Sequence, residues 1–265
     1  FPCERSGSNG RGGGGSAACG AFAFMEMGAS WLRVSAARAL LLDCLDLLWP
    51  PVCAACGEPS GRKPFCKICR IELPVITGAR CEVCSQPFPA ADGCAEFVCA
   101  NCRERRFHFV CSLSPLRAHG KVREMIHRLK YGGERWLARP LAMEWEACRD
   151  DNRIPWREIA GFVPVPLHPL RRRERGYNQA GLLAEHAARL FSKPVLPVLK
   201  RARVTETQTH FDRDHRMQNL RNAFAIRHNH DVHSKKLVLI DDVFTTGSTL
   251  DECARAVLAG GAGAV

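Results

Sequence analysis

The run Lys236-Leu-Val-Leu-Ile-Asp-Asp-Val-Phe-Thr-Thr-Gly-Ser-Thr-Leu-Asp251 decides the fold of this chain. Its apolar segment Leu237–Ile240 is short and rich in branched residues, which is typical of a strand buried in a parallel sheet. The apolar spacing behind the loop predicts a helix with one buried face: Leu250, Cys253, Ala254, Val257 and Leu258. A strand, a loop and a helix N-terminus in this order form an anion site, because free backbone N–H groups and the helix dipole face the loop.

Asp241 and Asp242 follow the strand directly, and a loop of small hydroxyl residues follows them. A Walker phosphate loop would end in Lys and then Ser or Thr, and that Lys is missing. Two carboxylates beside a phosphate cradle suit a sugar phosphate, because ribose hydroxyls can donate to carboxylates while Mg²⁺ balances the charge. The run closely resembles the 5-phosphoribosyl 1-diphosphate (PRPP) motif of type I phosphoribosyltransferases. The resemblance implies that the acids bind the ribose hydroxyls and that the loop holds the 5′-phosphate through Thr245, Thr246, Gly247, Ser248 and Thr249.

A second strand, predicted over Phe162–Pro166, ends at prolines and is followed by an arginine cluster and by a helix from Gln179. An arginine run alone is usually solvated surface or a nucleic-acid patch. Beside a strand end and a helix start it suits a pyrophosphate group, since guanidinium groups give bidentate donors next to free N–H groups. The residues of this cluster are His168, Arg171, Arg172, Arg173, Arg175, Gly176, Tyr177 and Asn178.

Two other segments are expected near the same cleft. Lys130 and Tyr131 precede a glycine break, and Lys130 is a candidate PRPP contact. Lys200–Asn222 is polar and aperiodic, and a loop of this length inside a compact domain is usually functional. In relatives of this fold a mobile basic lid covers PRPP at this place, which makes Arg216 a further candidate. Short strands are predicted before and after the lid, at Val195–Leu199 and Phe224–Ile226.

Fifteen cysteines could indicate a secreted disulfide scaffold, but their spacing argues against it. Eight form four Cys-x-x-Cys pairs, and two such pairs complete a tetrahedral, structural Zn²⁺ site. The predicted ligands are Cys53, Cys56, Cys66, Cys69, Cys81, Cys84, Cys99 and Cys102. Pairing in chain order gives tandem zinc ribbons, whereas cross-braced pairing remains open, and Cys94 could replace Cys99. Thiolate ligands together with unpaired cysteines elsewhere fit a reducing cytoplasm.

The composition, 46% hydrophobic and 25% charged residues, is that of a globular protein without a membrane span. Residues 1–26 are predicted to be disordered or to precede the true start, with Met25 or Met27 as candidate starts. An amphipathic helix is predicted within 27–50, a double zinc ribbon in 51–110 and an α/β domain in 111–265. Of the net charge of +11, the segment 157–227 holds 14 Lys and Arg against 6 Asp and Glu, which favours a phosphate-rich substrate or a nucleic acid.

The motifs together resemble the ComF family of competence-associated proteins. Those that carry the resemblance are the four cysteine pairs, Lys130-Tyr131, Val163–Pro166, Arg175–Ala180, Gln208, Arg216, Asn219 and Ile240–Leu250. The resemblance implies a Rossmann-like parallel sheet with a hood, in a domain whose last strand lies beyond Val265. It also implies a part in natural transformation, the uptake of DNA, together with other competence proteins.

Two functions follow as hypotheses. One is pentosyl transfer, a glycosyltransferase reaction in which a nucleophile displaces pyrophosphate from PRPP, with Asp241, Asp242 and Arg175 as catalytic residues. The acceptor is not identified by the sequence. The other is a non-catalytic module that binds single-stranded DNA through the zinc ribbons and the basic segment, with PRPP as a ligand or regulator. For base stacking, the nearest aromatic candidates are Phe162 and Tyr177.

Overall fold

The computed structural model describes residues 43–48, 50–88, 97–202, 221–227 and 230–265. The chain divides into two compact units, Phe1–Pro51 and Val52–Val265. In the first unit, residues 43–48 are helical, which is the described part of the helix predicted within 27–50. The remainder of that helix and residues 1–26 lie outside the described residues.

Among the described residues of the second unit, helices come first, and strands appear only from residue 159 onward. The α-helices are α1 (Lys67–Ile71), α2 (Ala100–Arg103), α3 (Gly120–Tyr131), α4 (Ala138–Met143), α5 (Pro169–Arg175), α6 (Gln179–Phe191) and α7 (Ser248–Ala259). The 3-10 helices Arg135–Leu137 and Glu144–Cys148 flank α4. The strands are β1 (Ile159–Pro164), β2 (Leu199–Arg201), β3 (Phe224–Ile226) and β4 (Lys236–Ile240). Across the described residues we find no helix that combines the length and the apolar character needed to cross a bilayer.

The predicted parallel sheet is confirmed. Strand β1 pairs in parallel with β4, from Ile159 opposite Lys236 to Pro164 opposite Ile240. Parallel bridges extend the sheet on both sides, at Val195 beside β1 and at Ala264 beside β4. The result is a mixed α/β unit whose central strands are flanked by further parallel chain.

Alternate residues of the two central strands enter two separate hydrophobic clusters, as the period of a strand requires. Phe162 and Ile240 face one cluster, which α3, α4, α6 and the first cysteine pairs complete. Val163 and Leu237 face the other, which α7, β2 and β3 complete. Each fully buried aliphatic or aromatic side chain contributes about 1.5–3 kcal/mol, so burial on both faces fixes the register of this strand pair.

The region around α3 follows its sequence pattern closely. Val122, Met125 and Leu129 are buried at helical spacing, and the helix ends at Gly132 as predicted. After the glycines the chain forms a 3-10 turn, then α4 and then another 3-10 turn.

The strand predicted at Val195–Leu199 is only partly correct. Val195 bridges to β1, but the chain then turns, and Leu199 begins β2, which pairs antiparallel with β3. Residues 203–220, which hold most of the predicted lid and Arg216, lie outside the described residues.

At Gly161, strand β1 and the segment that contains Pro194 and Leu196 approach each other closely. A Cβ at this position would lie 2.7 Å from Pro194 O and 2.7 Å from Leu196 Cδ1. We expect Gly161→Ala to lower the free energy of unfolding by about 1–3 kcal/mol, because backbone must move to relieve the overlap. A Cβ at Gly181 in α6 meets Asn178 no closer than 3.5 Å, so Gly181→Ala should be neutral or stabilising. Urea unfolding of both variants checks this, and equal midpoints would contradict it.

Candidate functional site

The carboxyl ends of β1 and β4 meet at one edge of the parallel sheet, where Pro164 pairs with Ile240. The chain that leaves β4 supplies Asp241 and Asp242. The chain that leaves β1 continues through His168 into α5, which carries the predicted arginines. Open α/β sheets bind ligands outside the carboxyl ends of their strands. The structure therefore brings the acid pair and the start of the arginine segment to the edge where a ligand is expected.

The hydroxyl-rich loop is shaped by Gly247 and ends at the first residue of α7, Ser248. Gly247 adopts a left-handed conformation with φ +78°, and a Cβ there would come within 2.8 Å of the Phe244 ring. Its carbonyl accepts from Asp251 N at 2.8 Å, which closes the first turn of α7. Thr246 Oγ1 and Ser248 Oγ lie 2.9 Å apart. Hydroxyls and the N-terminus of a three-turn helix thus converge, a geometry that favours an anion.

The two aspartates are held by different partners. Asp241 Oδ1 accepts from the backbone N–H of Asp242 at 2.9 Å. Asp242 Oδ1 lies 2.8 Å from Lys130 Nζ, and both side chains are largely shielded from solvent. The structure therefore brings Lys130 to the acid pair, while its neighbour Tyr131 is 65% exposed. Lys130 is the cation that offsets the charge of Asp242 in the ligand-free chain.

The environment of Asp241 disfavours its ionised form. Burial and the nearby charge of Asp242 raise the pKa of the Asp241 carboxyl from 3.8 to about 7, although Lys130 and the Asp242 N–H oppose the shift. Because the folded-state pKa is the higher one, this group favours the fold at low pH. That contribution is lost as the pH rises from about 4 through about 7. A bound cation would reverse this preference, since it would stabilise both carboxylates as anions.

The arginine segment forms the short helix α5. Strand β1 is followed by α5, which ends at Gly176 with φ +74°. The Arg175 guanidinium lies over the Tyr131 ring, 4.6 Å from its centroid. Arg171 is half-buried, whereas Arg172 and Arg173 are exposed.

The prediction that Phe162 and Tyr177 stack on bases is wrong. Phe162 is 1% exposed and Tyr177 is 7% exposed. Phe162 faces the core from β1, and the Tyr177 hydroxyl donates to the Leu129 carbonyl. Tyr131 and Trp136 are the exposed aromatic side chains near the arginines, at 65% and 46%.

The second cysteine-rich repeat contains the last two Cys-x-x-Cys pairs and the residues that follow them, as far as His108. Residues of this repeat reach the hydroxyl-rich loop, and sequence reasoning missed them. Arg105 Nη1 donates to Thr246 O at 2.7 Å, and Arg105 Nη2 lies 3.4 Å from Ser248 Oγ. The backbone N–H of His108 donates to Asp251 Oδ1 at 2.6 Å. These contacts join positions more than 140 residues apart in the chain, and no local motif predicts them.

Among the described residues, two clusters of four cysteines are present. Their members are Cys53, Cys56, Cys66 and Cys69 in the first, and Cys81, Cys84, Cys99 and Cys102 in the second. Within each cluster the Sγ atoms lie within 4.8 Å of one another. The pairs therefore combine in chain order, and the cross-braced alternative is wrong. Cys94, the considered replacement for Cys99, lies outside the described residues.

The geometry of both clusters fits Zn²⁺. With Zn–S bonds of ~2.3 Å, tetrahedral coordination places ligand sulfurs ~3.8 Å apart. The Sγ atoms of Cys56 and Cys66 are 3.8 Å apart, and those of Cys84 and Cys99 are 3.7 Å apart. No zinc-bound water position is required, because four thiolates close the coordination shell.

The thiols of each cluster cannot all ionise without a cation. Burial raises the pKa of the Cys53 thiol, but backbone N–H groups of Cys56, Cys66 and Ala55 outweigh it and lower the pKa to about 6. Burial and the neighbouring thiols raise the pKa of Cys69 to about 12. One thiolate therefore forms readily and then opposes the next. Zn²⁺ would hold all four as thiolates, which is the chemistry of a structural site.

A cavity of about 790 Å³ opens beside the acid pair, between β4 and residues 113–117. Its wall is mainly apolar and includes Trp145 and Leu141, and Asp241 and Asp242 also line it. An apolar wall does not solvate phosphate groups. A phosphate of a bound ligand is therefore expected against the hydroxyl-rich loop rather than against this apolar wall.

Comparison with known proteins gives consistent relatives. A family model described as a double zinc ribbon domain matches residues 44–103. Competence protein F of Haemophilus influenzae is 32% identical over 208 residues, which cover 77% of this chain and 82% of that protein. DNA utilization protein YhgH of Escherichia coli K12 is 30% identical and covers 76% and 93%. Competence protein ComFC of Bacillus subtilis is 28% identical and covers 73% and 77%. No solved structure matches significantly.

The cysteine clusters predict two zinc ions per chain. Cys56→Ser and Cys84→Ser should each reduce the zinc content from two to one, because each removes one ligand of a different closed site. Cys111→Ser, a half-buried cysteine outside both clusters, should retain two. Elemental analysis of protein purified without chelator measures this, and chelation should unfold residues 50–110 locally. Absence of zinc from the parent protein would show that the clusters are not metal sites.

Proposed function

This chain belongs to the family of competence protein F and ComFC, and we propose that it binds PRPP with Mg²⁺ and acts as a phosphoribosyltransferase in the uptake of DNA. One observation supports the proposal that the chain binds PRPP. Two carboxylates, Asp241 and Asp242, stand directly before a hydroxyl-rich loop at a helix N-terminus. The names of the relatives, which refer to competence and DNA utilization, support a role in the uptake of DNA. We assign the α/β unit to the type I phosphoribosyltransferase fold, with its sheet and hood.

In this proposal each group of residues serves one part of PRPP. The loop Thr245–Thr249 holds the 5′-phosphate, and the two aspartates accept hydrogen bonds from the ribose hydroxyls. Arg171 and Arg175 bind the pyrophosphate, joined by Arg216 from the lid. Lys130, which contacts Asp242 at 2.8 Å, would donate to the pyrophosphate oxygens.

Carboxylate oxygens are the ligands that Mg²⁺ prefers. The pKa of the Asp241 carboxyl is raised, so a bound cation would stabilise its ionised form. Asp241, Asp242 and the pyrophosphate would hold the ion, which supplies charge neutralisation to the leaving group.

The reaction is a displacement at C1 of the ribose. The bond from C1 to the pyrophosphate oxygen breaks, and a bond from C1 to a nitrogen or other nucleophile forms. Pyrophosphate leaves with the electron pair, and the nucleophile loses its proton. The arginines stabilise the departing charge, and Asp241 and Asp242 orient the sugar as positive character develops on it.

Thermal stability tests PRPP binding. We expect PRPP with Mg²⁺ to raise the melting temperature of the α/β unit, because a ligand that binds only the folded state stabilises it. The effect should grow as the pH rises through about 7, since Asp241 then ionises.

The matched variant is Asp241→Asn with Asp242→Asn, which keeps shape and removes charge. It should lose the ligand-induced shift while it retains two zinc ions. Equal shifts in variant and parent would show that these acids do not hold the ribose. Release of pyrophosphate from PRPP in the presence of candidate acceptors then tests catalysis separately from binding.

A second function, binding of single-stranded DNA, is supported by a surface next to the same arginines. We call this the aromatic–arginine surface and define it by Tyr131, Trp136, Arg128, Arg135 and Arg175. The Arg128 guanidinium lies 6.0 Å from the Trp136 ring centroid, and that of Arg175 lies over Tyr131. Exposed rings beside guanidinium groups suit sequence-tolerant binding, since bases stack on the rings while the cations neutralise phosphates.

Fluorescence titration with labelled single-stranded DNA tests this surface. Tyr131→Ala and Trp136→Ala should each weaken binding by about 1–3 kcal/mol. Affinity should fall steeply with salt, and PRPP should compete because Arg175 serves both ligands. Ile71→Ala removes an exposed apolar side chain from α1 and is the control. Binding that survives both aromatic substitutions and PRPP would place the DNA on the cysteine-rich repeats instead.

A further inference from the structure

Arg105 connects the second cysteine cluster to the phosphate loop. It lies three residues after Cys102, and its backbone N–H donates to the Cys102 carbonyl at 3.3 Å. Its guanidinium extends the other way, to Thr246 O at 2.7 Å and Ser248 Oγ at 3.4 Å. The same guanidinium lies over the Phe107 ring, 4.5 Å from its centroid, which limits its freedom to turn away.

This contact fixes the orientation of the peptide between Thr246 and Gly247. In a trans peptide the carbonyl and the following N–H point in opposite directions. Because Arg105 draws the Thr246 carbonyl toward the cysteine-rich repeat, the Gly247 N–H is turned to the opposite side. The left-handed φ of Gly247 permits this orientation.

The surrounding contacts keep the arrangement in place. Phe107 and Phe244 pack against the second cysteine cluster, and a Cβ at Gly247 would meet both rings, at 3.1 and 2.8 Å. His108 fixes the first turn of α7 through two contacts to Asp251 Oδ1, from its backbone N at 2.6 Å and from Nδ1 at 3.0 Å. The loop is therefore bordered by side chains of the second repeat on one side.

We propose that Arg105 is a positioning residue of the 5′-phosphate subsite, which turns the Gly247 N–H toward the phosphate and makes the second zinc ribbon part of the binding machinery. This inference rests on the proposed function for the identity of the ligand. Arg105 acts through the loop peptide rather than on the reacting atoms. It should therefore affect the phosphate of the sugar and leave the pyrophosphate end of the site unchanged.

The test compares Arg105→Ala with Arg106→Ala, the exposed neighbouring arginine, in the full chain. Isothermal titration with ribose 5-phosphate should show roughly tenfold weaker binding for Arg105→Ala, the effect of one charge-assisted hydrogen bond. Binding of pyrophosphate with Mg²⁺ should be unchanged in both variants. Arg105→Lys should recover only part of the loss, because an ammonium group does not reproduce the planar fork that reaches both acceptors. Two zinc ions in every variant would show that the ribbon remains folded.

Hydrogen exchange separates failure of this inference from failure of the proposed function. In the ligand-free protein, the Asp251 amide, which donates to the Gly247 carbonyl at 2.8 Å, should exchange roughly tenfold faster in Arg105→Ala than in Arg106→Ala, because the loop loses its anchor. If the parent binds neither ligand, the proposed function is wrong, and exchange alone then decides whether Arg105 positions the loop. Equal exchange in the two variants, or equal loss of ribose 5-phosphate and pyrophosphate, would overturn the inference.

Discussion

The parallel pairing of β1 with β4 is the constraint on which the rest of this structure depends. Parallel strands are stable when both faces are buried, and alternate residues of this pair enter two different clusters. Helices α3 and α6 and the first cysteine-rich repeat cover one face, whereas α7 and the β2–β3 pair cover the other. The same parallel direction sends both chains out of the sheet at one edge. The acid pair and the arginine helix both follow strands that end at this edge, and the shared strand direction brings the two strand ends together although they are far apart in the sequence.

The close spacing of acidic groups, in the cysteine clusters and in the pair Asp241 and Asp242, is the second constraint on this structure. Four cysteines within 4.8 Å in each cluster cannot all be thiolates unless a cation neutralises them. The acid pair presents the same difficulty on a smaller scale, because Asp241 and Asp242 are adjacent and one is desolvated. Lys130 offsets part of the charge, yet the pKa of Asp241 stays raised. Both regions therefore crowd acidic groups that resist ionising together, and at the cysteine clusters Zn²⁺ would remove that cost by holding all four thiolates.

The sequence predicted most of what is local. Strand β4, its loop and α7 follow from hydrophobic spacing and turn chemistry within the 24 residues from Lys236 to Ala259, and Cys-x-x-Cys spacing identifies the thiol pairs. Pairing of the cysteines could not be predicted, since tandem and cross-braced sites require the same spacing. Burial of Phe162 and Tyr177 could not be read from their nearness to arginines, because it depends on which strand face and which helix contact each takes. Arg105 reaches the loop across 141 residues, a separation at which composition and period carry no signal.

The two cysteine-rich repeats have the same local geometry but different surroundings. In each, the first cysteine accepts from the residue after the pair, Gly57 in one and Ser85 in the other, and both of these residues have positive φ. The first repeat is built into the main core. There the Ala54 carbonyl accepts a hydrogen bond from Arg128, and the Cys69 Sγ accepts one from Lys121 Nζ. The second repeat instead contacts the loop before α7 through Arg105 and Phe107. A duplicated structural unit thus has one copy that supports the core and one that borders the site. Loss of zinc from the first would act through stability, whereas loss from the second would act on the loop directly.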